Sequence, residues 1–251
     1  MSNGENIVFI IGFPRSGTTW LQNELSCYSG TFSPTNESFF LSRYMIRLFR
    51  AWNVDQEDDS VNGLSKLISE DEFIDWMRNS CIDLFRKFGW DGEEILIEKT
   101  PYNIVFPREL HRLFPHSKVL MILREPLEVF KSHKRISQLE WGTWALNDVK
   151  EFSRRWNERL SNAHTFKELF GDRFHIVEYQ SLKNDSDVIR KIATLVLGNE
   201  PEALIVEGDG GSNLLSLPEF KSKGPVILDN DEVNFIQDNC IEIYNQLIDN
   251  Q

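Results

Sequence analysis

The chain has 251 residues, 41% of them hydrophobic, and a formal net charge of −12. So large an apolar fraction excludes a disordered chain, and the length suits one large α/β domain or at most two small ones. The acidic total argues against a general nucleic-acid binder, although a local anion site answers only to the charges near it.

Ile7-Val8-Phe9-Ile10-Ile11 is β-branched, aromatic and unbroken, which predicts a buried strand. Residues 12–17 read as a loop, and 18–28 as a helix with Trp20, Leu21 and Leu25 on one face. Two further helices are expected over 38–52 and 70–88. The second opens after Ser69, an N-cap residue followed by three acids that suit the positive end of a helix. Ile95-Leu96-Ile97 is a second strand, 107–114 a short helix, 119–123 a third strand, and 126–136 the helix after it. One long helix is predicted over 145–170, a fourth strand over 174–179 and a helix over 186–197. Irregular chain follows over 199–230, then a closing helix over 231–248. Strands separated by helices imply a parallel sheet with right-handed crossovers. No repeat, low-complexity tract or linker divides the chain, so 1–251 is expected to be a single domain.

Charge is unevenly spread along these elements. Residues 99–135 hold eight lysines and arginines against three acids, whereas 37–98 sum to −7 and 178–251 to −9. On composition alone this reads as ordinary amphipathic helices. The three cysteines, Cys27, Cys81 and Cys240, are widely spaced and form no CxxC pair. That pattern fits a reducing compartment and neither a disulfide scaffold nor a zinc site. No apolar run reaches the roughly 20 residues that span a bilayer, and the run at 7–11 is too short for a signal sequence. The expectation is a cytoplasmic protein.

Ligands in open parallel sheets sit at the carboxyl ends of strands, and the motifs fall there. Gly12-Phe13-Pro14-Arg15-Ser16-Gly17-Thr18-Thr19 follows the first strand and opens a helix. It has the glycine spacing of a phosphate-binding P-loop, in which backbone N–H groups at a helix start point at an anion. Thr18 occupies the position of the P-loop lysine, and the cation has moved to Arg15 inside the loop. Loss of that lysine speaks against a nucleoside triphosphate. A second anchor is Arg124 at the end of the third strand, with Ser132 eight residues on. An arginine fork plus a hydroxyl suits a phosphate monoester. Alone, Arg124 would read as an ion-pair partner of Glu125 or Glu128. The strand also ends in Arg rather than the metal-binding Asp of a phosphoryl-transfer site.

The string Pro14-Arg15-Ser16-Gly17-Thr18-Thr19-Trp20 resembles the 5′-phosphosulfate loop of sulfotransferases that use 3′-phosphoadenosine 5′-phosphosulfate (PAPS). Arg124 with Ser132 resembles the 3′-phosphate motif of the same family. The resemblance runs in order from Ile7 to about Gly198 and fades over 199–251. It implies an α/β sandwich around a parallel sheet, P-loop-like in build. It also implies that Arg15, Ser16, Gly17, Thr18, Thr19 and Trp20 hold the donor's 5′ end, that no metal is required, and that 3′-phosphoadenosine 5′-phosphate (PAP) is the product. Asn36-Glu37-Ser38, 22 residues past Arg15, and Glu98-Lys99-Thr100-Pro101 look like the carbohydrate-type branch, which takes a Glu as base and a Lys at the transferred group. The cytosolic small-molecule branch has a His base near the Lys-Thr string, where this chain has Pro101. The resemblance therefore implies Glu37 as base, Lys99 on the bridging and sulfuryl oxygens, and Arg15 on the 5′-phosphate. The chemistry needs these parts: a carboxylate to take the acceptor's proton and cations where charge builds on the leaving phosphate.

Several residues carry weaker readings. Glu98 is expected to pair with Lys99 and orient it, or to be a second carboxylate at the site. Tyr179 resembles the family's tyrosine near the adenine, with Gln180 in place of the usual acid. Lys223-Gly224 is similar to a late basic stretch that touches the 3′-phosphate, and reads equally as a solvated turn. His133, Lys134 and Arg135 read as helix surface or acceptor entrance, and Trp52 or Trp144 as possible pocket walls. The loop begins at residue 12, so no membrane anchor is expected ahead of it. The acidic total disfavours a long polyanionic acceptor, which leaves a hydroxyl of a smaller glycan, a glycolipid or a metabolite. The competing functions are a P-loop kinase or NTPase and a non-catalytic PAP-binding protein.

Overall fold

A computed structural model describes residues 3–58, 62–202 and 226–249. Its sheet has five strands: β1 (Ile7–Gly12), β2 (Thr31–Phe32), β3 (Ile95–Lys99), β4 (Lys118–Leu123) and β5 (Phe174–Glu178). They lie in the order β2-β3-β1-β4-β5, and each neighbouring pair is parallel. The described helices are α1 (Thr18–Leu25), α2 (Ile46–Glu57), α3 (Glu70–Lys87), α4 (Pro107–Leu113), α5 (Pro126–Ser137), α6 (Val149–Leu160), α7 (Asn162–Phe170), α8 (Tyr179–Asn184), α9 (Ser186–Leu197) and α10 (Asn230–Asp249).

The continuous apolar run of β1 is explained by its central place, because both of its faces are covered. Ile7, Phe9 and Ile11 join a large core with residues of α2 to α7 and α10. Val8 and Ile10 face a smaller core built with Leu21 and Leu25 of α1, Leu182 of α8 and Ile192 of α9. The alternation of one strand between two cores makes three layers, as expected. Ser69 caps α3 in a capping box with Glu72, the start that its sequence predicts.

The predicted 145–170 helix is two helices. It begins at Val149, capped by Asp148, and breaks at Ser161. There Ser161 Oγ and Asn162 Nδ2 both donate to the Glu158 carbonyl, at 3.0 and 3.2 Å, and so compete with the helical ladder. The predicted 38–52 helix starts instead as a π-helical turn over Phe40–Met45, entered through Phe39 at φ 49°, and continues as α2. The strand β2, two residues long, is too short to show a pattern. No described helix is long and apolar enough to cross a membrane.

Candidate active site

The loop between β1 and α1 is wound through two left-handed residues, Arg15 at φ 76° and Gly17 at φ 107°. At Gly17 only glycine fits, since a Cβ there would lie 2.5 Å from Cδ2 of Tyr179. At Arg15 the backbone carries strain of about 1 to 3 kcal/mol, which the surrounding contacts must hold. His133 supplies one such contact. Its Nε2 lies 3.0 Å from the Pro14 carbonyl, and the Leu146 N–H donates to its Nδ1 at 3.1 Å. Nδ1 is therefore the acceptor, and the proton sits on Nε2. Burial is the main cause that pulls the imidazole pKa down to about 4. His133 is 1% exposed and packs against Phe13, Trp144 and Phe152. This corrects its reading as helix surface: it is a neutral strut between the loop and the chain before α6.

On the β4 side of the loop, cations gather. Arg15 Nε donates to Ser132 Oγ at 3.1 Å, which joins two motifs separated by 117 positions. Arg124 stacks its guanidinium 4.6 Å from the centroid of the Tyr179 ring and makes only a loose 3.6 Å pair with Glu128. Burial, then Arg124, then Arg135 lower the pKa of Arg15, while Glu37 opposes them. Three guanidinium groups thus act on one small region. Arg135 is exposed on α5, as its reading as helix surface expected, and its charge still acts on Arg15. Ser16 Oγ and Arg124 Nε are buried with no hydrogen-bond partner. A buried polar atom left unpaired is costly unless something binds there.

On the β3 side, charges are matched. Lys99, at the end of β3 and opposite Ile10 of β1, donates to Glu37 Oε1 at 2.7 Å, and its side chain is 4% exposed. Glu98 does not pair with Lys99, contrary to expectation. It accepts from Ser38 Oγ at 2.7 Å, Thr100 Oγ1 at 2.6 Å and Asn103 Nδ2 at 3.1 Å. Side chains alternate along a strand, so Glu98 and Lys99 leave β3 on opposite faces. Full burial is the leading cause that raises the Glu98 pKa, against those hydrogen bonds. Ser38 also accepts from the Phe40 N–H at 3.3 Å, so Glu98 ties the left-handed turn that carries Glu37 to the strand end that carries Lys99.

The structure thus brings Arg15, Ser132, Arg124 and Tyr179 together and, beside them, Glu37 and Lys99. Thr18 and Thr19 open α1, and Trp20 meets Tyr179 edge to face at 5.9 Å. Tyr179 is the first residue of α8 rather than the last of a strand. Trp52 is core, stacked on Phe73 at 4.2 Å, while Trp144 is half-exposed. Lys223 and Gly224 lie outside the described residues. The roles of Ser38 and Asn103, as partners of Glu98, are what sequence reasoning missed. Together the arrangement can hold an anion on one side and move a proton on the other.

Comparison with known proteins bears on the family and the fold. A model described as "Sulfotransferase family" matches residues 7–195. A "Putative protein-tyrosine sulfotransferase" of Caenorhabditis briggsae is 24% identical over 162 residues, covering 64% of this chain and 54% of the relative. The chain therefore spans about half the length of that curated relative. The crystal structure of a sulfotransferase from Alicyclobacillus acidocaldarius superposes with a TM-score of 0.57 at 16% identity, over 98% of this chain and 94% of the other. The sulfotransferase domain of the Synechococcus PCC 7002 olefin synthase gives 0.56 at 20% identity, over 95% of each chain. Both share the fold.

Proposed function

This chain belongs to the sulfotransferase family, and we propose that it transfers a sulfuryl group from PAPS to an acceptor hydroxyl, with 1–251 acting as one catalytic domain. One observation carries the reading. The buried Ser16 hydroxyl and Arg124 Nε lack partners beside a loop whose other flank holds a 2.7 Å Glu37–Lys99 pair. Unpaired donors inside a cluster of guanidinium groups fit a nucleotide that carries phosphates at both ends of its ribose.

In this reading Arg15, the amides of residues 16–19 and the first turn of α1 hold the 5′ end of the donor. Arg124, Ser132 and Arg135 hold the 3′-phosphate, and Tyr179 and Trp20 lie toward the base. The donor supplies an activated sulfuryl group. Glu37 accepts the acceptor's proton as its oxygen bonds to sulfur, and Lys99 stabilises the charge that collects on the phosphate oxygen as the old S–O bond breaks. The loop and the clamp at Glu98 contribute chiefly position. The acceptor is a hydroxyl of a small glycan, glycolipid or metabolite. The likeness to a protein-tyrosine sulfotransferase favours a second reading, a tyrosine phenol in a polypeptide, served by the same base and cation.

The test is incubation of purified protein with labelled PAPS and pools of sugars, glycolipids, phenols and tyrosine peptides, read by mass gain. A sulfated product that disappears with Glu37→Gln is the expected result. Magnesium-dependent consumption of ATP in place of PAPS would establish the kinase reading instead. Binding of PAP with no turnover on any pool would leave a nucleotide-binding protein.

A further inference from the structure

Arg159 lies in the last turn of α6. Its guanidinium carbon sits 5.0 Å from the centroid of the Phe13 ring and 5.0 Å from that of Tyr102. Phe13 follows β1 and begins the loop, and Tyr102 stands three residues beyond Lys99, after β3. These strands are neighbours, so Arg159 reaches from the loop to the chain that leaves the Lys99 strand.

The guanidinium thus lies over two aromatic rings, and a cation–π contact uses none of the N–H groups of an arginine as hydrogen-bond donors. Among the described residues no carboxylate pairs with Arg159, whereas Arg154 and Arg155, on the same helix, both bind Glu151. Burial is the leading cause that lowers its pKa. A half-buried guanidinium held by aromatic rings and paired with no described carboxylate attracts an anion. The donor's anionic ends already have Arg15, Arg124 and Arg135. Tyr102, at 37% exposure, offers apolar wall beside it.

We propose that Arg159 recognises a carboxylate on the acceptor, so that the preferred acceptor is a hydroxylated acid rather than a neutral alcohol. The planar fork of arginine matches a carboxylate with two parallel hydrogen bonds. One such group agrees with the acidic surface, which repels a long polyanion but not a single charge met by a local cation. The proposal rests on the sulfotransferase reading and narrows its acceptor.

The experiment uses the full chain with PAPS and matched acceptors: 4-hydroxyphenylacetate against its methyl ester, and glucuronate against glucose. The acid of each pair should win by about 10- to 100-fold in kcat/KM, and Arg159→Ala should close that gap mainly by raising KM for the acid. Equal use of acid and neutral partner overturns the proposal. So does a variant that slows both members alike, which marks a structural role. A separate readout is protection of Arg159 from phenylglyoxal in the PAP-loaded protein. Protection by 4-hydroxyphenylacetate but not by its ester supports the proposal even where no acceptor is turned over, a result that would count against the sulfotransferase reading instead. Equal labelling with and without the acid overturns it.

Discussion

The two flanks of the Phe13–Gly17 loop solve opposite electrostatic problems. On the β4 flank Arg15 donates to Ser132 and feels the charges of Arg124 and Arg135, while Arg124 makes a loose 3.6 Å contact with Glu128. On the β3 flank Lys99 meets Glu37 at 2.7 Å, and the buried Glu98 is answered by three neutral donors. Like charges held together store a deficit that an anion fills, which is how a site keeps a permanently charged ligand. An acid–base pair held ready, with a carboxylate beneath it, instead suits a step in which proton and charge change places. In the proposed function the difference separates holding from reacting within one loop's reach.

The sharpest way to break that separation is at Lys99. Lys99→Ala, and likewise Glu37→Gln, should lower kcat by about 10²- to 10⁴-fold while PAP still binds, as titration calorimetry would show. Equal loss of PAP affinity would merge the two flanks into one.

The strut that holds the loop comes next. His133 titrates near 4 in the folded chain, below its ordinary 6.5, so the unfolded chain takes up that proton first as pH falls. Stability should be full above 6.5 and should decline by up to about 3 kcal/mol as the pH drops from 6.5 towards 4. Thermal melts across that range would show it. His133→Phe, which keeps a ring and removes both hydrogen bonds, should be less stable at pH 7 and flatter below it. An unchanged slope in the variant would assign the pH dependence elsewhere.

Arg124→Ala should weaken PAP binding by about 10- to 100-fold with a smaller change in kcat at saturating donor. Arg135→Ala should act in the same sense and less strongly. A rate defect without an affinity defect would move Arg124 to the reacting flank. The mildest change is Ser38→Ala, which leaves Thr100 and Asn103 on Glu98. It should reduce kcat by roughly 3- to 10-fold with little shift in melting temperature, and a lower melting temperature at unchanged kcat would mark Ser38 as structural only.

Much of this was legible in the residues themselves. The unbroken apolar runs at 7–11 and 119–123 marked strands covered on both faces, and the Ser69 cap marked the start of α3. The loop, Arg124 and Lys99 stood at strand ends where a local pattern could point to them, whereas the Lys99–Glu37 pair joins residues 62 positions apart and had no local sign. What escaped depends on partners far along the chain. Glu98 and Ser38 lie 60 positions apart, and the sequence offered only the adjacent Lys99 as a partner for the carboxylate. The helical spacing from Val129 and Phe130 to Ile136 puts His133 on the apolar face of α5, but its partner Pro14 lies 119 positions away and nothing local named it. The break at Ser161 was hidden because the apolar spacing on either side stays in helical phase, while the competing hydrogen bonds are side-chain chemistry.

One contact at the far edge of the sheet bears on how the protein is made. Glu178, beside Tyr179, accepts from the hydroxyl of Tyr244 on α10 at 2.8 Å, and Lys134, two residues past Ser132, pairs with Glu232 on the same helix at 2.6 Å. These links close loops of 66 and 98 positions, and such distant closures form slowly. A nascent chain on the ribosome can assemble β1, β3 and β4 well before residue 244 emerges. The β4 flank then waits for its contacts with α10, and this interval is when a chaperone or a protease would meet it.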